Sequence, residues 1–162
     1  MFNYQHTNLS PFYTSETSYL SSIPNTDYGP NPFTIDISNA TINNDTFRTA
    51  LWTGNNLQLT LMSIPVGNEI GLEVHPDDDQ FLHIESGHGI VQMGKQMNCL
   101  DFQQPIFTNS AIFVPAGTWH NVINTSDIPL KLFSIYAPPH HHWGTVHQTK
   151  AIAEADSSTN HY

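Results

Sequence analysis

The chain of 162 residues has the length of one domain, and its 4 Lys and Arg residues are outnumbered by 14 Asp and Glu residues, giving a formal net charge of −10. We therefore expect no nucleic-acid or membrane partner, because both require clustered cations. One cysteine, Cys99, allows no intramolecular disulfide, and no apolar run approaches membrane-spanning length, so we expect a soluble cytoplasmic protein.

Residues 1–31 form a polar arm rich in Ser, Thr, Asn, Tyr and Pro, without a sustained helical or strand period. This composition indicates a segment that is either disordered or packed on a partner. Because a short sheet leaves edges that such an arm can cover, we expect a homodimer to which the arm contributes.

Residues 32–138 contain many short stretches of strand character and almost no helical pattern. Such spacing predicts an all-β barrel or jelly roll. The predicted strands cover residues 33–38, 47–52, 57–64, 69–74, 81–85, 89–93, 106–108, 111–114, 119–124 and 130–136.

Residues 139–162 form a tail after two consecutive prolines, with one short predicted helix over residues 149–155. The tail carries a cluster of histidines, namely His140, His141, His142 and, further on, His147. A second metal site is conceivable there, but an exposed loop explains the cluster better.

The first of two spaced motifs runs from Gly67 to Gly87 as Gly-x5-Glu-x-His-x4-Gln-x6-Gly and contains Glu73, His75 and Gln80. Side chains of a strand alternate between its two faces, so Glu73 and His75 point to the same side. We expect Gln80, on the next strand, to converge on them if the strands curl into a small barrel.

The second motif runs from Asn109 to Asn124 as Asn-x5-Pro-x-Gly-x2-His-x3-Asn and contains Pro115, Gly117 and His120. Proline fixes φ and glycine permits positive φ, so the turn before His120 is stiff. The turn therefore delivers His120 to a defined position.

Glu73, His75, Gln80 and His120 are the candidate ligands of one divalent ion inside the barrel. The carboxylate and two imidazoles suit Zn, Fe, Mn or Ni and leave a position open for water or substrate. Gln80 either binds the ion through its amide oxygen or hydrogen-bonds a water there. His83 has the opposite parity to Gln80 and should face away.

Together the motifs resemble those of the cupin superfamily, in which the first supplies His, His and Glu and the second a final His. The spacing is kept, but three residue types differ from the usual ones. Glu73 stands where the first His is usual, Gln80 stands where the Glu is usual, and Asn109 replaces the opening Gly of the second motif. The resemblance implies a cupin-type double-stranded β-helix, a jelly-roll barrel, over residues 32–138. The run from Glu73 to Asp78 is also similar to the zinc-binding segment of mannose-6-phosphate isomerases, which carry Gln-x-His-Pro there.

Six apolar or aromatic residues are candidates for the pocket mouth, although core filling explains them better. They are Trp52, Met62, Met93, Trp119, Phe133 and Tyr136.

Arg48 lies on a predicted barrel strand and is a candidate substrate contact if it turns inward. Because the cations are scattered, a sugar phosphate would lack a charged anchor, so we expect an uncharged, sugar-like or other small polar ligand.

Two functional hypotheses remain open. As an enzyme, the chain would be a metal-dependent isomerase or dioxygenase, since no Ser-His-Asp order or phosphate loop offers another catalytic resource. As a non-catalytic module, it would bind metal or a small ligand, in an assembly that the N-terminal arm helps to build.

Overall fold

The computed structural model describes residues 26–159, with side chains described through Asp156. The predictions for residues 1–25, most of the polar arm, lie outside the described residues. The elements, in chain order, are α1 Ile37–Ile42, β1 Arg48–Thr53, β2 Gln58–Ile64, β3 Asp79–Ser86, β4 His88–Gly94, β5 Phe102–Phe107, β6 Ala111–Val114, β7 Trp119–Asn124, β8 Leu130–Ala137, β9 Val146–His147 and α2 Lys150–Thr159.

Two antiparallel sheets enclose the core. The larger has the strand order β6-β3-β8-β2-β1-β9, and the smaller has the order β5-β4-β7. Strands distant in sequence therefore lie side by side in both sheets, which is the connectivity of a jelly roll. The predicted all-β jelly-roll barrel is confirmed.

The inner face of the larger sheet is apolar at one end and polar at the other. Met62 lies opposite Leu132 at the apolar end, and both are fully buried. At the polar end, Gln58 and Gln80 flank Tyr136 on its two sides, and all three are buried. Buried polar groups require partners, so this end of the barrel is where a site is expected.

The outer face of the larger sheet is covered by α1. Ala40 of the helix packs with Leu51 and Leu61 in a second apolar cluster. The helix begins at Asp36, whose Oδ1 accepts a hydrogen bond from the backbone N–H of Asn39 (3.0 Å), a standard N-cap. The predicted strand over residues 33–38 is therefore wrong, because Asp36 caps a helix.

Other elements differ from prediction at their boundaries. Residues 69–74 form isolated bridges rather than a strand, and β5 begins at Phe102, before the predicted residues 106–108. The predicted helix over residues 149–155 is confirmed as α2, whereas β9 was not predicted. No helix in the described part of the chain is long and apolar enough to cross a membrane.

Candidate metal centre

The backbone of the second motif holds the first motif in place. The Glu73 N–H donates to the His120 carbonyl (3.0 Å), and the His120 N–H donates to the Glu73 carbonyl (2.9 Å). The Gly117 N–H donates to the His75 carbonyl (2.8 Å), and Gly117 has a φ of 74°, which glycine adopts without strain. The turn therefore fixes all three side chains relative to one another.

The side chains of Glu73, His75 and His120 converge. Glu73 Oε1 lies 3.4 Å from His75 Nε2 and 3.4 Å from His120 Nε2. Two ligand atoms bound at about 2.1 Å to a tetrahedral ion are roughly 3.4 Å apart. The structure thus brings together three of the four predicted ligands at a spacing that suits a single ion.

The donor atoms of this cluster are buried and unsatisfied. His75 is 4% exposed and His120 is 0% exposed, and neither their Nε2 atoms nor Glu73 Oε1 has a hydrogen-bond partner. Leaving a buried polar atom unpaired costs about 1–3 kcal/mol. A cation bound between these atoms would satisfy all three, so the donor set fits a metal ion.

The protonation states also suit metal binding. His120 Nδ1 lies 3.0 Å from the carbonyl of Thr118, which can only accept, so this contact requires a proton on Nδ1 and directs Nε2 towards Glu73. Burial alone would raise the pKa of Glu73, but the imidazoles of His120 and His75 and the charge of Arg48 outweigh it and hold that pKa well below its ordinary value. Glu73 therefore remains a carboxylate.

Gln80 lies on the same inner face, and His83 does not. Gln80 Nε2 donates to Ser134 Oγ (2.9 Å), whereas its Oε1 is buried without a hydrogen-bond partner. His83 contacts Glu85 (3.1 Å) and stacks on Phe133 at the outer face, as strand alternation predicts. The free Gln80 oxygen is compatible with either role considered for it, direct ligation or holding a water.

A cleft of about 730 Å³ opens beside the cluster. This volume is within the range of small-molecule sites. Its walls come from the first motif, from β1 and from residues after the barrel, and they include Arg48, Glu73, His75, His140, His141 and Lys150.

The segment that follows the barrel was expected to be an exposed loop; it is a loop with His142 exposed, but His147 is buried and His140 and His141 line the cleft. The His140 ring centroid lies 4.0 Å from that of His75, and His140 Nδ1 is hydrogen-bonded to Asp78 (2.5 Å). Fully buried Gln58 accepts from the backbone N–H groups of His140 (3.3 Å) and His141 (2.8 Å) and donates to the His141 carbonyl (2.9 Å). The four histidines within residues 140–147 were the available signal.

His141 forms a neutral part of the cleft wall. Burial, assisted by the charge of Arg48, lowers its pKa to about 2. His141 therefore adds no positive charge to the cleft at neutral pH.

Among the predicted pocket-lining residues, Tyr136 has a ring contact with the cluster. It is fully buried, and its ring centroid is 5.6 Å from that of His75. The lining of the cleft includes neither Tyr136 nor the other five candidates, which are Trp52, Met62, Met93, Trp119 and Phe133. Met62 belongs to the core, for example, and the Trp52 indole donates to the Asn31 carbonyl (2.8 Å).

Comparison with known proteins gives consistent results. The cupin domain model matches residues 60–136. The uncharacterized protein YrkC of Bacillus subtilis (strain 168) is 64% identical over 129 residues, which cover 80% of this chain and 69% of that protein. The uncharacterized protein L612 of Acanthamoeba polyphaga mimivirus is 36% identical over 115 residues, 70% of each chain.

A crystal structure shows the same fold at high sequence identity. The structure of BH2720 from Bacillus halodurans has 61% identity and a TM-score of 0.80, covering 80% of this chain and 98% of that one. With the two spaced motifs on one jelly-roll barrel, these similarities establish that the chain belongs to the cupin superfamily.

Proposed function

We propose that the protein is a metal-dependent cupin that holds one divalent ion through Glu73, His75 and His120 and binds a small molecule in the adjoining cleft. The observation that carries the proposal is the convergence of three buried donor atoms that lack hydrogen-bond partners. Gln80 supplies either a fourth ligand atom or a hydrogen-bond acceptor for a water. Zn, Fe, Mn and Ni all suit this donor set.

The cleft favours an enzyme over a module that only stores an ion. Glu73 is 28% exposed, which leaves a face of the cluster open to an incoming molecule. When bound, the ion supplies Lewis-acid polarisation of a carbonyl or hydroxyl, or redox chemistry with dioxygen if it is iron. We infer isomerase or dioxygenase chemistry. The chain's own residues bind and orient the ligand, and His140, held by Asp78, is placed to contact it beside His75.

The test is metal analysis of protein purified without an affinity tag. We expect about one divalent ion per chain, and we expect the Mn(II)-loaded protein to enhance water proton relaxation because a coordination position is open. An ion that gives no relaxation enhancement would favour the non-catalytic module. Protein that retains none of the four metals after reloading would contradict the proposal.

We also infer a cytoplasmic homodimer. In support, β6 is an edge strand of the larger sheet, and Phe113 on it is 70% exposed. An exposed edge with a large apolar side chain is a site of association. Phe113→Ser should give a lighter particle by light scattering, whereas Val66→Ser, at an exposed turn, should not. A wild-type chain that scatters as a monomer would contradict the homodimer.

A further inference from the structure

Arg48 is a buried cation without a paired carboxylate. It is 4% exposed, belongs to the wall of the cleft, and its Nε has no hydrogen-bond partner. Among the residues with described side chains, no ion pair includes it. A buried guanidinium is expensive unless its charge and its N–H donors are satisfied.

The other cation of the cleft is already compensated. Lys150 lies 3.3 Å from a Glu69 oxygen and 3.7 Å from a Glu154 oxygen. Those carboxylates are more exposed than Arg48, at 42% and 67% of their side chains, so they belong to the rim. The positive charge that lacks a paired carboxylate is therefore at the deep end of the cleft.

Neighbouring groups do not neutralise Arg48. Burial raises the pKa of Tyr136, so its hydroxyl stays uncharged, and the lowered pKa of His141 keeps that imidazole neutral. Glu73 acts on Arg48 only from beyond ion-pair distance, and its carboxylate is engaged by the ion under the proposed function. A divalent ion and Arg48 together outweigh one carboxylate, so the loaded cleft is positive at its base.

We propose that Arg48 binds a carboxylate of the ligand, which makes the substrate class a small organic acid. This assignment rests on the proposed function and extends it. The planar guanidinium matches a carboxylate with two parallel hydrogen bonds. Arg48 balances one carboxylate and the bound ion can balance a second, whereas a phosphate concentrates nearly two charges on one group that Arg48 alone does not balance. The expectation of an uncharged ligand rested on the scattered cations, with Arg48 as the exception if it turned inward, and Arg48 borders the cleft.

The test is calorimetric titration with malonate and with malonamide, its uncharged isostere, after the metal content of the protein has been measured. We expect malonate to bind and malonamide to bind at least about tenfold more weakly, since an amide offers the guanidinium a single oxygen and no charge. Arg48→Gln should weaken malonate binding by a similar factor. Lys95→Gln, which removes an exposed cation outside the cleft, is the control and should leave malonate affinity nearly unchanged.

Several outcomes would overturn the assignment. Equal binding of malonate and malonamide would do so without any variant, which keeps the proposal testable if Arg48→Gln does not fold. Unchanged malonate affinity in a folded Arg48→Gln variant would also overturn the assignment. So would binding of inorganic phosphate without binding of malonate, or binding of neither anion. The proposed function and the role of Arg48 fail in different ways. Protein that binds no ion contradicts the proposed function, whereas its malonate titration still tests the role of Arg48.

Discussion

The two walls of the cleft differ in how their unpaired polar atoms are arranged. On the barrel wall, buried atoms of Glu73, His75 and Arg48 have no hydrogen-bond partner. On the wall built by the C-terminal segment, His140 is bonded to Asp78, and His147 to Asp156 (3.1 Å). The C-terminal wall also has unpaired nitrogens, His141 Nε2 and His147 Nδ1, whereas on the barrel wall the unpaired atoms converge, with Glu73 Oε1 3.4 Å from the Nε2 atoms of His75 and His120.

This difference separates residues that bind an ion or a ligand from residues that hold the cleft in a fixed shape. A buried polar group that is paired within the chain contributes to a fixed geometry, whereas an unpaired one costs stability until something binds it. We therefore assign ion and ligand binding to the barrel wall, and closure of the cleft to the C-terminal wall.

The largest effect should follow loss of a barrel-wall donor. His120→Ala removes an imidazole held by the stiff turn, and we expect metal occupancy to fall from about one ion per chain to nearly none. His83→Ala is the control, because His83 contacts Glu85 on the outer face. Elemental analysis of both variants measures the difference. Equal loss of metal from the two variants would show that the outer face also contributes to the site.

The next effect concerns the C-terminal wall. Gln58→Ala leaves the backbone groups of His140 and His141 without their partner, and we expect the free energy of unfolding to fall by about 2–4 kcal/mol. Gln103→Ala removes a single hydrogen bond of an exposed side chain, to the Leu100 carbonyl, and should cost less than about 0.5 kcal/mol. Urea unfolding of both variants provides the comparison. Similar losses in the two would mean that Gln58 does not hold the segment.

Much of the barrel was predictable because its strands alternate regularly. The bounds of β6 and β7 agree with prediction, and the opposite orientations of Gln80 and His83 follow from parity alone. The segment before β1 was mispredicted because an N-cap at Asp36 outweighs the strand propensity of its apolar residues.

The two walls of the site were not equally predictable. The barrel-wall residues are spaced by strand and turn geometry, so a pattern in the sequence specifies their convergence. The C-terminal wall depends on contacts between residues far apart in the chain, such as Gln58 with His141 and Asp78 with His140, and no local period encodes these contacts. The inward position of Arg48 likewise follows from its pairing with Met62 across the sheet.

A smaller effect should appear in the pH dependence of stability. His141 has a folded-state pKa of about 2, below the ordinary 6.5. As the pH falls below 6.5, the unfolded chain therefore binds a proton at His141, whereas the folded chain does not. Stability is therefore lost as the pH falls through this window, by up to about 1.4 kcal/mol per unit. Between about pH 7 and pH 5, His141→Gln should lose about 1–2 kcal/mol less than the wild type.

Urea unfolding at the two pH values, with the same metal content in each sample, measures this difference. His88→Gln, which changes an exposed histidine, is the control and should follow the wild type. If the His141→Gln protein loses as much stability as the wild type, His141 is protonated in the folded state and the C-terminal wall carries a charge.

The smallest effect concerns Gln80, and it decides whether this residue binds the ion directly or accepts a hydrogen bond from a water. Gln80→Glu keeps the shape of the side chain and replaces the amide by a carboxylate, to which the Ser134 hydroxyl can donate instead of accepting. If the free Oε1 faces the ion, the added charge should tighten metal binding several-fold, despite repulsion from Glu73 in the metal-free protein. If Oε1 instead accepts from a water, the repulsion remains without a compensating bond, and the affinity should be unchanged or weaker. Competition against a chelating dye separates these outcomes, and tighter binding would extend the ion's ligand set to all four residues of the two motifs.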